Sequence, residues 1–104
     1  MNRLVLTEDA IRDVSEMFEL TIATVSKALE ALDTNDVEIA QKVSEQENVI
    51  DKMERQFRKN HILRVNGGKC SGQAGIVFVD ILSNLERIGD HASNIAEAVL
   101  GKRI

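Results

Sequence analysis

The stretch Phe78–Val99, FVDILSNLERIGDHASNIAEAV, decides the fold class. Phe78, Leu85, Ala92 and Val99 recur every seven residues, and Ile81, Ile88 and Ile95 repeat that spacing three residues on. Leu82 and Ala96 widen the same face. Apolar residues at such intervals line one side of an α-helix, whereas on a strand they scatter over both faces. The spacing predicts a helix over about Ala74–Leu100, ended by Gly101. Gly89 falls in its middle, where glycine costs about 1 kcal/mol against alanine. A glycine there implies the close approach of a neighbouring helix or a ligand.

The same period continues upstream. Ile11, Phe18, Val25 and Leu32, with Val14, Thr21 and Ala28 between them, predict a helix over about Thr7–Leu32. Thr7 offers a cap, and Glu8 and Asp9 suit the positive end of the helix dipole. The polar break Asp33-Thr34-Asn35-Asp36 follows, with Asn35 or Asp36 as the next cap. Val43, Ile50 and Phe57 carry a second helix over about Val37–Val65, stopped by Asn66-Gly67-Gly68. The four glycines of Gly67–Gly75 read as a loop. The 104 residues hold no proline, which favours long unbroken helices. Short links make neighbouring helices antiparallel. The expected fold is all-α: an antiparallel three-helix bundle, one domain over residues 1–104, with apolar surface to spare for a second copy.

Composition narrows the function. A net charge of −4 argues against a nucleic-acid partner, which requires a basic surface to displace phosphate counterions. The longest apolar run, Gly75–Val79, falls far short of the ~20 residues that cross a bilayer. Cys70 is the single cysteine, so no internal disulfide forms. No Glu is followed three residues later by His, no paired-cysteine zinc motif is present, and Gly67-Gly68-Lys69-Cys70 lacks the remaining residues of a phosphate-cradling loop.

What remains is carboxylate chemistry. Glu47 and Asp51, and again Glu86 and Asp90, stand four residues apart, one turn from each other on a helix face. Like charges so placed repel unless a cation offsets them. For the first pair a solvated face is the simpler account, because Asp51 precedes Arg55 by four and Glu54 precedes Arg58 by four. The second pair has Leu82 before it and Asn94 after it, and no basic residue at the neutralising positions. Glu97, seven residues beyond Asp90, extends it into an acidic stripe of Glu86, Asp90 and Glu97. Oxygen ligands of this kind suit hard cations, iron and manganese. His91 is a candidate ligand or base, set against ordinary hydrogen bonding to Asp80, Asn84 or Arg87. His61 reads as a surface residue and Cys70 as a small residue near a helix start.

The string Leu85-Glu86-Arg87-Ile88-Gly89-Asp90-His91-Ala92, continued by Asn94-Ile95-Ala96-Glu97, resembles the signature of PhoU domains. The family's acidic motif matches Glu47–Asp51 and Glu86–Asp90. The resemblance covers essentially the whole chain as one three-helix unit, where family members carry two in tandem. It implies a regulator of phosphate uptake that binds metal, iron or zinc above all, at Glu47, Asp51, Glu86, Asp90 and Glu97. It implies contacts with a phosphate transporter's membrane domain or a phosphate-signalling protein, or with another copy as a homodimer. Arg64–Gly75 followed by Phe78–Asp80 resembles the C-terminal PhoU-like domain of bacterial sodium/phosphate cotransporters. The expected location is cytoplasmic, free or tethered to the inner face of the membrane as part of a longer chain. No catalytic role is expected. The alternatives are a ligand-free structural dimerisation module and a metalloenzyme acting on phosphate esters with His91 as base.

Overall fold

A computed structural model describes residues 6–101. Three helices follow in order: α1 Glu8–Thr34, α2 Val37–Asn66 and α3 Gly72–Val99. Each packs against both others in a bundle of 48 × 25 × 21 Å. The expected three-helix architecture is what forms.

The helix ends follow from local chemistry. The Thr7 hydroxyl accepts from the Ala10 N–H at 3.1 Å. Asp36, not Asn35, caps α2, accepting from the N–H groups of Glu38 at 2.9 Å and Ile39 at 3.2 Å. Asn35 instead closes α1 in the left-handed conformation, at φ 55°, a role its short amide tolerates. After α2, Gly68 takes φ +75°. The third helix starts two residues before the expected position. The Ser71 hydroxyl accepts from the Ala74 N–H at 3.0 Å, which draws Gly72 and Gly75 into the first turn rather than the loop. Gly75 is buried there, and a Cβ on it would lie 2.9 Å from Val65 Cγ2.

The core has two compositions. Around Met17, Ile50, Phe57, Phe78 and Leu82 it is built of large side chains. Around Ala28, Ala31, Ala40, Ala92 and Ala96 it is nearly all methyl groups, with Val43 the exception. The stripes read from α2 and α3 mostly turn inward: Val43, Ile50, Phe57, Phe78, Leu85 and Ala92 are buried, and Ile81 and Ile95 partly so, but Ile88 is left exposed.

The stripe read on α1 is partly displaced. The buried face is Ala10, Met17, Thr21, Thr24, Ala28 and Ala31: of the expected stripe, Thr21 and Ala28 are buried and Val14 and Val25 pack partly against the core, but Ile11, Phe18 and Leu32 face outward. Small residues win the inward position because they let the helices approach. The threonines are satisfied locally: Thr21 donates to the Met17 carbonyl and Thr24 to the Leu20 carbonyl, both at 2.7 Å. Ile11 (53% exposed), Phe18 (50%), Ile22 (49%), Leu29 (52%) and Leu32 (55%) are left facing outward.

Gly89 answers its expectation with a helix, not a ligand. It is buried against α2, and a Cβ on it would meet Ile50 Cδ1 at 3.1 Å and Cγ2 at 3.4 Å. The missing side chain sets how closely α2 and α3 pack at mid-length. Gly89→Val is expected to push them apart and lower the unfolding free energy by roughly 1–3 kcal/mol, the usual cost of overpacking. Urea unfolding measures this, and an unchanged midpoint would show that the contact does not set the spacing.

Candidate metal centre

The Gly89–Ile50 contact lies level with the acidic pairs. Glu86 stands three residues before Gly89, and Glu47 and Asp51 flank Ile50. The two helices bring one carboxylate oxygen from each of Glu47, Asp51 and Glu86 within 4.8 Å of one another. All three side chains are half-buried. Each lies on a regular helix, so backbone geometry rather than loop conformation fixes their positions.

Crowding shows in the proton affinities. Glu47 is pushed from its ordinary 4.5 up to about 7, first by burial, then by the charge of Asp51 and a hydrogen bond with it, with Asp90 and Glu86 adding to the effect. Glu86 is also raised, first by burial, then by a hydrogen bond with Asp51 and the charges of Asp51, Asp90 and Glu54. Each such bond raises the glutamate because the protonated form of that carboxyl is the donor. Asp51 is therefore the hub, between one carboxyl from its own helix and one from α3. A proton partly relieves a repulsion that a cation would relieve more completely.

The expected ligands separate into a cluster and its surroundings. Glu47, Asp51 and Glu86 converge. Asp90 is exposed, yet near enough for its charge to raise both glutamates. Glu97 lies eleven residues beyond Glu86, about 16 Å along the helix at 1.5 Å per residue, and outside the cluster. Among the described residues Asp51 makes no ion pair with Arg55, which is exposed, so the solvated account of the first pair does not hold for Asp51. For Glu54 it does. Arg58 Nε donates to Glu54 at 2.8 Å, and its guanidinium also donates to Ser83 of α3 at 3.1 Å. Arg58 thus forms a basic edge to the cluster, with its charge already engaged by Glu54. The donor set fits a hard or borderline cation: three half-buried oxygens from rigid elements, mutually repelling.

His91 is exposed and is not part of the cluster. His61 corrects its expectation. It is 1% exposed, stacked on Phe78 with ring centroids 4.0 Å apart. Arg64 Nε donates to His61 Nδ1 at 3.3 Å, which leaves the proton of the neutral ring on Nε2, 3.7 Å from Cys70 Sγ. Burial first, then the Arg64 charge, lower the His61 pKa, against an opposing pull from Asp13. Arg64 also reaches Asp13 of α1 at 3.3 Å and lies over the Phe78 ring at 5.6 Å. His61 sits four residues after Phe57, on the buried face of α2, and that spacing was the available signal. A mainly apolar groove of about 390 Å³, lined by His61, Ile62, Val65 and Ile76 among others, opens beside it and takes in none of the clustered carboxylates.

Comparison with known proteins gives a consistent result. Residues 14–99 match the PhoU domain. Over 92 residues the chain is 33% identical to the phosphate-specific transport system accessory protein PhoU homolog 1 of Thermotoga maritima, covering 88% of this chain and 40% of that one. Over 98 residues it is 34% identical to the corresponding PhoU homolog of Aquifex aeolicus, covering 89% of this chain and 43% of that one. The chain thus spans less than half the length of these relatives. No solved structure gives a significant match.

The raised carboxyls make a pH prediction. A glutamic acid whose folded pKa exceeds its ordinary 4.5 holds its proton more tightly in the folded state. Its stabilising contribution is complete below about 4.5 and is lost as pH rises through about 7. His61, lowered on folding, acts in the opposite sense, losing stability as pH falls below its ordinary 6.5. The difference between wild type and Glu47→Gln isolates the carboxyl. In chelator-treated protein, wild type is expected to lose thermal stability relative to Glu47→Gln as pH rises from 5 toward 7.5. Parallel melting curves across that range would show that Glu47 does not titrate there.

Proposed function

The chain belongs to the PhoU family, and on that premise we propose that it is a metal-binding regulatory module of phosphate uptake. Glu47, Asp51 and Glu86 bind the ion, and Asp90 adds negative charge beside them. The observation that carries this is the convergence of three half-buried carboxylates within 4.8 Å across two helices. A bound cation bridges α2 to α3 and relieves the crowding that raises the Glu47 and Glu86 pKa values. The resemblance to PhoU domains favours iron or zinc, while oxygen donors alone suit magnesium, calcium and manganese as well.

Regulation requires a partner. The relatives are named as accessory proteins of a phosphate-specific transport system, which supports a transporter, a phosphate-signalling protein or a second copy as the surface contacted. Among the described residues no helix is long and apolar enough to cross a membrane, so the helical surface supplies the contact. Such a role belongs in the cytoplasm, free or tethered at the inner face of the membrane. The likeness of Arg64–Gly75 and Phe78–Asp80 to the cotransporter domain offers one way of tethering. The module acts through binding rather than by turning over a substrate.

A second reading has its own observation. Glu47, raised to about 7, can hold a proton at neutral pH and relieve the cluster without any ion, as a purely structural module requires. Elemental analysis separates the two. Wild type incubated with iron or zinc and then desalted is expected to retain metal stoichiometrically. Glu47→Gln/Glu86→Gln should bind it at least ~10–100-fold more weakly, the loss typical even of groups that only support metal ligands. Added metal should also raise the melting temperature of wild type but not of the variant. No retained metal and no thermal shift with either ion would reject the metal site and leave the structural module.

A further inference from the structure

Charge is unevenly placed along this acidic chain. Residues 52–80 hold six of its 13 Lys and Arg but only two of its 17 Asp and Glu. That stretch is therefore basic and the remainder strongly acidic. Of the six cations, Arg58 is turned to Glu54 and Arg64 to Asp13. Lys52, Arg55, Lys59 and Lys69 are exposed, and among the described residues none of them has an ion pair. Lys52, Arg55 and Lys59 follow at intervals of three and four on the outward face of α2, and Ile62 and Asn66 continue that spacing. Like charges so spaced repel, as the acidic pairs do. Where the cations end, apolar side chains begin. Leu63 (62% exposed) stands beside Ile62, and Ile76 (67% exposed) lies across the groove on α3. Among the described residues no large apolar side chain is more exposed than Ile76 and Leu63.

We propose that this face, the second half of α2 with the start of α3, docks on an anionic lipid surface. The four exposed cations meet the headgroups, and Ile62, Leu63 and Ile76 enter the boundary between headgroups and acyl chains, as the two sides of a basic amphipathic helix do. Charge complementarity selects an anionic partner, and the placing of the apolar side chains selects lipid. Ile62 and Ile76 line the groove beside His61, whereas Leu63 lies outside it. An acidic protein seated in the groove leaves Leu63 bare, but a fluid apolar layer covers all three. The acidic remainder of the chain is repelled by the same surface, which fixes the orientation of the bundle on it. Asp80 opposes the attraction, since it is exposed on the α3 side of the groove, whereas Glu54 is already engaged by Arg58. This contact adds a lipid partner to the proposed function and does not depend on the metal ion.

Co-sedimentation of the whole chain with vesicles, in chelator, tests this. Wild type is expected to sediment with equimolar phosphatidylglycerol and phosphatidylcholine but not with phosphatidylcholine alone, and to be released as salt is raised. Lys52→Gln/Arg55→Gln/Lys59→Gln should weaken binding roughly 100-fold, at about five-fold per cation. Ile62→Ser/Leu63→Ser should weaken it ~10-fold. Asp80→Asn, which removes an acid from the face, should strengthen it about five-fold. Arg12→Gln/Lys42→Gln, which removes exposed cations elsewhere, should leave it unchanged. All these side chains are exposed, so helical circular dichroism should be retained. Absence of binding to the anionic vesicles at low salt, or binding indifferent to the triple change, overturns the proposal. So does a wild type that ignores vesicles yet binds polyglutamate through the same three cations, which gives the face to an acidic protein. Chelator keeps the result separate from metal retention, so failure here and failure of the metal site are distinguishable.

Discussion

The absence of one side chain governs the middle of this bundle. With no Cβ at Gly89, Ile50 lies against the α3 backbone, and the two helices pack more closely there than larger residues allow. The carboxylates belong to the turns on either side of this contact, so the distance between them follows from it. The helix-propensity cost of a central glycine, about 1 kcal/mol, is offset by packing against Ile50. The same packing forces Glu47, Asp51 and Glu86 together.

That crowding is held in place from elsewhere. Around Phe78 the large-residue half of the core packs tightly, and its polar groups are tied in: Arg64 to Asp13 on α1, and His61 to Arg64 and to the Phe78 ring. Among the described residues no buried side-chain nitrogen or oxygen lacks a hydrogen-bond partner. A rigid core beside a repelling cluster is the arrangement expected where strain is retained for binding rather than relaxed. Arg58 adds a limit. Held by Glu54 of its own helix, its guanidinium reaches Ser83 and so joins α2 to α3 at the edge of the acidic cluster.

Much of this was legible in the residues. The sevenfold spacing of Val43, Ile50 and Phe57, and of Phe78, Leu85 and Ala92, identified both helices and their inward faces, although Ile88, read on the same side of α3, is exposed. On α1 the same logic mixed two apolar arcs, right for Thr21 and Ala28 and wrong for Ile11, Phe18 and Leu32. That helix has two, and hydrophobicity alone favours Ile11 and Phe18 over Ala10 and Thr24, whereas close packing favours the smaller set. The start of α3 was placed late because Gly72 and Gly75 read as breakers, although Ser71 supplies a cap strong enough to include them. For the site, spacing along one helix revealed each acidic pair. Which carboxylates meet is set by the register between helices, which one-dimensional spacing does not contain. Asp51 therefore joins Glu86, and Glu97 stands apart. His61 was read as a surface residue because it was weighed by its polarity, not by its position four residues after Phe57.

The uneven core has a consequence for how the molecule breathes. The half built of Ala28, Ala31, Ala40, Ala92 and Ala96 has a centre of small side chains, with its larger ones, Val25, Ile39, Ile95, Val99 and Leu100, only partly buried. Local opening follows the apolar surface each half buries, so this half is the one expected to open first. The carboxylate cluster lies between these two halves. An ion that bridged it would stiffen the boundary of the weaker half, and fluctuations of the α1–α2 turn would then become a gauge of a site the turn does not touch.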